Sequence, residues 1–154
     1  MKRFFKLAAL VAVLVCGACD DDKEYVEPVL PVTPYNIDGT WRLSEWNGAA
    51  PQEGCYIYIE FVRQDMRFTM YQNVDSHYAR KRTGRYSITD EDVIWGVYDY
   101  GVGDWERRYK VTGLTADRMT WTVTDDPDDI SVYTRCESIP EDILNEGGGN
   151  GDEE

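Results

Sequence analysis

The stretch YIYIEFVRQDMRFTMYQ, residues 56–72, alternates apolar and polar side chains on both sides of a short polar break. Ile57, Ile59 and Phe61 occupy every second position before Gln64-Asp65, and the alternation returns after the break with a phenylalanine and a methionine. A period of two residues indicates a β-strand with one buried face, and the polar break indicates a turn. The stretch therefore predicts two neighbouring strands joined by a short connection.

Similar short β-prone runs recur from Gly39 to Cys136, separated by turn residues, and no helical period there is long enough to predict a helix. Eight strands are predicted, over Thr40–Trp46, Tyr56–Val62, Arg67–Gln72, Tyr78–Ile88, Val93–Tyr98, Trp105–Thr112, Met119–Thr124 and Ile130–Arg135. Half-buried strands with short connections favour antiparallel pairing, and eight of them can close and remove exposed edges. We therefore predict an all-β fold, an eight-stranded antiparallel up-and-down β-barrel.

Two motifs in this part of the chain resemble the lipocalin and calycin barrels. Asp38-Gly39-Thr40-Trp41 opens the first strand with a Gly-x-Trp signature, and the pattern from Tyr109 to Trp121 is similar to the hairpin of the sixth and seventh strands in bacterial lipocalin-like lipoprotein domains. The resemblance covers residues 36–140 and implies that Trp41 plugs the closed end of the barrel. It also implies that Arg135, from the last strand, packs on this tryptophan. The alternative is that Trp41 is an ordinary core aromatic.

Residues 1–18 have the organisation of a secretory signal. Three basic residues precede an apolar run that ends in Gly17-Ala18, and the run is shorter than the roughly 20 residues of a membrane span. A cysteine directly after these small residues, Cys19, resembles the lipobox of bacterial lipoproteins, in which the signal is cleaved before the cysteine and the thiol is lipidated. The alternative is an ordinary cleaved signal followed by a fortuitous cysteine.

The run Asp20-Asp21-Asp22-Lys23-Glu24 follows at once. It resembles the surface-export signal of lipoproteins in one phylum of Gram-negative gut bacteria, which implies a lipid-anchored protein on the outside of the outer membrane. The run also fits a solvated tether, since charged linkers self-repel and extend. We accordingly divide the chain into a signal peptide (1–18), an acidic and Pro-rich tether (19–35), the barrel (36–140) and a disordered acidic tail (141–154).

The net charge of −13, from 16 basic and 29 acidic residues, argues against a nucleic-acid partner, because a phosphate backbone needs a basic face. Removal of residues 1–18 takes away three bases and changes the net charge to −16. The span 28–136 carries only −5 of this charge. Most of the acidity therefore lies in the tether and the tail.

Residues with catalytic or metal-binding chemistry are sparse. The one histidine, His77, lies in a polar turn without the orienting partner of a triad or the further ligands of a zinc site. Asp125–Asp129, the densest acidic cluster, lacks the glycine and distal glutamate of an EF-hand and is interpreted as a solvated turn, with an ion site as the alternative. The basic residues Arg80–Arg82 and Arg85 are interpreted as a solvated strand face, with an anion-binding patch as the alternative. We predict no enzyme activity, no metal and no cofactor.

Two cysteines, Cys55 and Cys136, follow the lipobox cysteine. An isolated pair in an oxidising compartment usually joins, and a disulfide between them is predicted on that rule. A strict meander opposes this prediction, because a strand of about 7 residues spans roughly 23 Å and a disulfide tolerates about 7 Å. Either the loop 48–55 folds down, or the strand count is off by one, or the thiols stay free.

The function depends on whether the barrel is filled, since eight strands enclose either a packed interior or one small ligand. The resemblance implies a small apolar or amphipathic ligand, held in a cavity lined by Phe68, Tyr86, Trp95, Tyr109 and Trp121. The alternative is a surface interaction or inhibitor protein with a filled barrel, which would bind a macromolecule through loops and outward aromatic side chains. The outward candidates are Tyr56, Tyr58, Tyr71, Tyr98 and Tyr100. No protein partner is identified.

Overall fold

The structure is a computed structural model that describes residues 26–74 and 79–146. Its elements are α1 (Pro34–Ile37), β1 (Gly39–Trp46), β2 (Ile57–Val62), β3 (Arg67–Gln72), β4 (Arg80–Ile88), β5 (Val93–Tyr98), a 3-10 turn (Asp99–Gly101), β6 (Gly103–Asp104), β7 (Tyr109–Thr112), β8 (Arg118–Val123), β9 (Asp126–Cys136) and α2 (Glu141–Glu146). The predicted signal peptide, Cys19 and His77 lie outside the described residues. Neither described helix is long and apolar enough to cross a membrane.

Hydrogen bonds join the strands into one antiparallel sheet in the order β4-β3-β2-β1-β9-β8-β7-β5, and β4 pairs in turn with β5. The two-residue strand β6 only adds a short pairing to β5. The eight main strands therefore form a closed up-and-down barrel, which confirms the predicted fold. Closure leaves no long unpaired edge among these strands.

The register of the first strands places alternate apolar side chains inside the barrel. Trp41 faces Ile59 across β1 and β2, while Ile59 faces Met70 and Phe61 faces Phe68 across β2 and β3. All five side chains are buried. The period-two pattern of residues 56–72 thus predicts their inward face correctly, because each strand exposes one face to the core.

The last strand is longer than predicted, since β9 begins at Asp126 instead of Ile130. Thr122 of β8 pairs with Ile130, but the next residue, Val123, pairs with Asp126. This register shift is a β-bulge, which bends a strand and takes up additional residues. Most of the acidic cluster therefore belongs to the irregular start of β9, and only Thr124 and Asp125 form the turn.

Two inward glycines let aromatic side chains pack directly on the barrel wall. A Cβ atom on Gly84 would lie 2.7 Å from the Phe68 ring and 2.1 Å from the carbonyl oxygen of Val97. A Cβ atom on Gly96 would lie 2.5 Å from the indole of Trp105. Phe68 and Trp105 therefore occupy the volume that side chains at these two positions would take.

Residues ahead of α1 lie against the end of the barrel where β1 begins, which we name the closed end. The Leu30 amide donates a hydrogen bond to the Leu114 carbonyl at 2.7 Å, and the Ala116 amide donates to Glu27 Oε1 at 3.1 Å. Leu30 and Val32 also pack on the core. The described part of the predicted tether is thus in contact with the barrel.

A second apolar cluster lies on the outer wall. Tyr58 and Tyr71, paired across β2 and β3, are covered by Ile139 and by Ile143 of α2. These two tyrosines were predicted to be free for stacking on a partner, and the structure corrects this because residues 141–146 form a helix over them. Of the other outward candidates, Tyr98 lies inside against Phe68, half-buried Tyr56 packs beside Tyr58, and Tyr100 is 98% exposed.

The predicted disulfide is not formed, because Cys55 and Cys136 are both free thiols in the structure. Cys136 pairs with Thr40, and Thr40 pairs with Glu60 near the closed end. Cys55 precedes β2 at the opposite end, five residues before Glu60, which corresponds to roughly 17 Å along a strand. That separation exceeds the limit of about 7 Å between the Cα atoms of a disulfide.

Candidate functional site

A cavity of about 370 Å³ opens at the end of the barrel opposite Trp41, which we name the mouth. Its inner wall includes Ile57 and Met70 from β2 and β3. The two ends of the barrel therefore differ: the closed end is plugged by side chains, while the mouth leaves a space of the size that small-molecule sites occupy.

Four aromatic side chains form the floor and one wall of the cavity, and we name them the aromatic floor: Trp105, Tyr109, Trp121 and Tyr133. Their rings are in continuous contact, with centroid distances of 5.8 Å between Trp105 and Trp121 and 4.7 Å between Trp121 and Tyr133. Tyr109 lies 5.0 Å from Trp121. Trp105, Trp121 and Tyr133 are buried, so the rings pack mainly on one another, and only their remaining exposed parts form the apolar base of the cavity.

The rim of the cavity is polar. Asp129 accepts a hydrogen bond from Trp46 Nε1 at 2.8 Å, and Glu106 is an exposed carboxylate at the same opening. Arg107 also lines the rim, and its guanidinium forms an ion pair with Asp125 at 3.0 Å. An apolar floor below a polar rim fits an amphipathic molecule.

The phenols of the aromatic floor stay uncharged at neutral pH. Burial raises the pKa of Tyr109 to about 12, and the nearby Asp129 carboxylate contributes to this rise. Burial also raises the pKa of Tyr133, with smaller contributions from Tyr109 and Asp129. Both side chains therefore offer neutral hydroxyl groups, and neither supplies a charge or a proton acceptor for catalysis near neutral pH.

The five predicted cavity residues lie in three different environments. Tyr109 and Trp121 line the cavity. Phe68 and Tyr86 are buried in the core and do not line it. Trp95 lies on the outer face, which corrects its predicted inward position.

The position of Trp95 follows from the register of β4 and β5. Tyr86 points into the core and pairs with Gly96, so the neighbouring pair Ser87 and Trp95 faces outward. There the Arg108 guanidinium lies 5.2 Å from the centroid of the Trp95 ring. The inward residues of β5 are therefore Ile94, Gly96 and Tyr98, of which only Tyr98 is aromatic.

Trp105 is a cavity residue that the strand pattern did not identify. It lies ahead of β7, and its amide donates a hydrogen bond to the Gly96 carbonyl at 2.8 Å. The predicted strand over residues 105–112 begins only at Tyr109, because the preceding residues leave the ladder and the indole enters the barrel. The available signal was Gly96, since an inward glycine leaves space that another side chain must fill.

The closed end holds the second pair of predicted residues. Trp41 is completely buried, and its Nε1 donates a hydrogen bond to the Ile37 carbonyl of α1 at 2.8 Å. The Arg135 guanidinium lies 4.1 Å from the centroid of the Trp41 ring. It also donates to the backbone carbonyls of Asn36, Asp38 and Ala116. Arg135 thereby connects β9, α1 and the β7–β8 turn across the plugged end.

The polar clusters outside the cavity include the acidic side chains and the basic cluster of β4. Within residues 26–74 and 79–146, no three His, Cys, Asp or Glu side chains are grouped so that they could hold a metal ion. In the basic cluster, Lys81 and Arg82 lie over the rings of Tyr71 and Tyr98. These contacts stabilise the wall of the barrel and support the interpretation of this cluster as a strand face.

Comparison with known proteins adds the family. A structural neighbour is a lipocalin-like protein from Bacteroides uniformis, with 14% identity and a TM-score of 0.48 over 66% of this chain and 99% of that chain. No curated protein matches the sequence. The lipocalin-like domain family matches residues 37–121, more than half of the chain, from the residue before Asp38 to Trp121 of the aromatic floor. The chain therefore belongs to the lipocalin-like domain family.

Proposed function

We propose that the protein is a binding module, without enzymatic activity, that holds one small amphipathic molecule in the mouth of its barrel. The observation that carries this proposal is the cavity of about 370 Å³ above the aromatic floor, in a barrel whose opposite end is plugged. Cavities of this size bury small ligands, and their apolar walls contribute to affinity in proportion to the area removed from water. Membership of the lipocalin-like family supports the same function.

Filling the cavity should abolish binding without unfolding the protein. Ser131 pairs with Trp121 and lines the cavity, so Ser131→Trp places an indole where the ligand would lie. We expect the affinity for a simple probe, 1-octanol, to fall at least about tenfold, which corresponds to about 1.4 kcal/mol. Tryptophan fluorescence titration measures the change, because Trp105 and Trp121 line the cavity.

Ser87→Trp is the matched control, since Ser87 is exposed on the outer face beside Trp95. It should leave octanol binding unchanged. Equal octanol affinity in the unsubstituted protein and the Ser131→Trp variant would contradict the assignment of the site. Native mass spectrometry of delipidated protein from its own host gives an independent reading, in which a bound small molecule supports the proposal.

The alternative function, a surface protein that binds a macromolecule, is favoured by one observation. Tyr100 is 98% exposed and Val102 is 54% exposed at the tip beyond β5, where they offer apolar surface to a partner. With Tyr58 and Tyr71 covered, Tyr100 is the fully exposed member of the predicted outward tyrosines. A clean apo mass together with co-purification of a protein partner would support this alternative against the cavity.

We also propose that the protein is a lipoprotein, anchored through Cys19 and exposed on the outer membrane. The support is the signal-like segment 1–18, the small residues ahead of Cys19 and the acidic run that follows it. Cys19→Ala should move the protein from the membrane fraction to the soluble fraction, as measured by immunoblotting of separated cell fractions. Cys16→Ala is the matched control and should leave the protein in the membrane fraction. Retention of the Cys19→Ala variant in the membrane would overturn the anchor.

A further inference from the structure

The aromatic floor groups several rings at one small space. Trp105, Tyr109, Trp121 and Tyr133 all line the cavity, and Trp105 lies 6.1 Å from Tyr109. The face of an aromatic ring carries a negative partial charge, so grouped rings attract an organic cation. A purely aliphatic floor of the same area would not distinguish a cation from a neutral molecule.

Two of the charged groups at the rim, both carboxylates, have the same sign as the ring faces. Asp129 and Glu106 both line the cavity, and their carboxylates are among the causes that raise the pKa of Tyr109. Asp129 is partly buried, where a charge is screened less than on an open surface. The two carboxylates therefore favour positive charge in the mouth, while Arg107, which lowers the pKa of Tyr109, opposes them.

The basic groups near the mouth already have partners. Arg107 lines the cavity but forms an ion pair with Asp125 at 3.0 Å. Arg82, on the neighbouring wall, lies 5.8 Å from the centroid of the Tyr98 ring. Asp129, by contrast, uses one carboxylate oxygen for Trp46 and has a second oxygen for a ligand. Among the described residues that line the cavity, Asp129 and Glu106 are thus the charged side chains that form no ion pair.

We infer that the cavity binds an amphipathic organic cation, a primary amine or quaternary ammonium group attached to a short apolar chain. This inference rests on the proposed function and specifies its ligand class. The ammonium group would lie between the rings and the rim carboxylates, and the apolar chain would cover the aliphatic wall formed by Ile57 and Met70. A ligand with an anionic head group would meet the carboxylates instead.

Three probes with the same eight-carbon chain separate charge from apolar burial: octyltrimethylammonium, 1-octanol and octyl sulfate. Titration below their micelle-forming concentrations, at low ionic strength and followed by calorimetry, should show the cation binding about tenfold more tightly than the alcohol. Octyl sulfate should bind more weakly than the alcohol. Raising the salt concentration should weaken binding of the cation and leave the alcohol unchanged, because only the charged contact is screened.

Charge removal at the rim provides the decisive variants. Asp129→Asn keeps an acceptor for Trp46, and Glu106→Gln changes an exposed side chain. We expect each to weaken octyltrimethylammonium binding about threefold, and the double variant about tenfold, with octanol binding unchanged. Asp65→Asn, in the β2–β3 turn at the closed end, is the matched control and should affect no probe.

The outcomes distinguish the inference from the function on which it rests. Octyl sulfate or octanol binding as tightly as the cation, or a double variant that retains full cation affinity, would overturn the inference while leaving the cavity as a binding site. Failure of all three probes to bind would overturn the proposed function and the inference with it. Preferential cation binding that is lost in the double variant supports both.

Discussion

Trp41→Ala is expected to lower the free energy of unfolding by about 3–5 kcal/mol, the range for removing a large buried aromatic side chain. The indole is completely buried, donates a hydrogen bond to the Ile37 carbonyl and lies beneath the Arg135 guanidinium. Its removal leaves a cavity at the closed end and an Ile37 carbonyl without its hydrogen-bond donor. It also leaves the Arg135 guanidinium without the aromatic ring on which it packs. Urea denaturation at 25 °C measures the change.

Trp95→Ala is the matched control, because this tryptophan lies on the outer face and contacts Arg108. We expect a loss of about 1 kcal/mol or less, since the contact is one exposed cation–π interaction. The two substitutions remove the same atoms. The difference between their losses in free energy of unfolding therefore measures the contribution of the buried position of Trp41 at the closed end. Similar losses for the two variants would contradict the role of Trp41 as the plug.

Arg135→Ala is expected to lower the free energy of unfolding by about 2–4 kcal/mol, because hydrogen bonds from a charged donor contribute about 1.5–3 kcal/mol each and are partly replaced by water. The guanidinium donates to the Asn36 carbonyl at 2.8 Å and to the Ala116 carbonyl at 2.6 Å while it lies on the Trp41 ring. Arg135→Lys should recover less than half of the loss. A lysine ammonium keeps the charge but lacks the planar fork that reaches several carbonyls.

Arg118→Lys is the corresponding control, because Arg118 is half exposed and forms only a surface ion pair with Glu45 at 3.4 Å. It should change the free energy of unfolding by no more than about 0.5 kcal/mol, the usual value for such pairs. An Arg135→Lys variant as stable as the unsubstituted protein would show that charge alone is sufficient at this position. Thermal and urea unfolding of the same variants should agree.

The strands were predictable because every second side chain of each strand faces the core. β2, β3 and β8 follow their predicted spans within one residue, and their inward side chains are the alternating apolar ones. The short helices were not predictable in this way. Six residues are too few for an isolated helix to be stable, so α2 depends on its contact with Tyr58 and Tyr71.

The candidate site was predictable only in part, because alternation gives the face of a residue and not its depth along the barrel. Phe68 and Tyr86 face inward as expected, yet they lie in the packed part of the interior, while Tyr109 and Trp121 reach the cavity. Trp95 was misplaced because the inward position beside it belongs to Gly96. Trp105, which lies in the loop ahead of β7, fills the space that this glycine leaves. A strand pattern does not define the position of a loop residue.

For the proposed lipoprotein, the contacts of Glu27 and Leu30 with the β7–β8 turn would set the orientation of the barrel on a membrane. Seven residue steps separate Cys19 from Val26, and a chain of that length spans at most about 24 Å. The barrel is about 20 Å long even without its loops, as expected for tilted strands of eight residues such as β1. Facing the mouth toward the bilayer would stretch the linker along the whole barrel. The shorter path from Cys19 to the closed end favours an anchored protein whose mouth points away from the bilayer, and a ligand of the proposed site would then arrive from the surrounding medium.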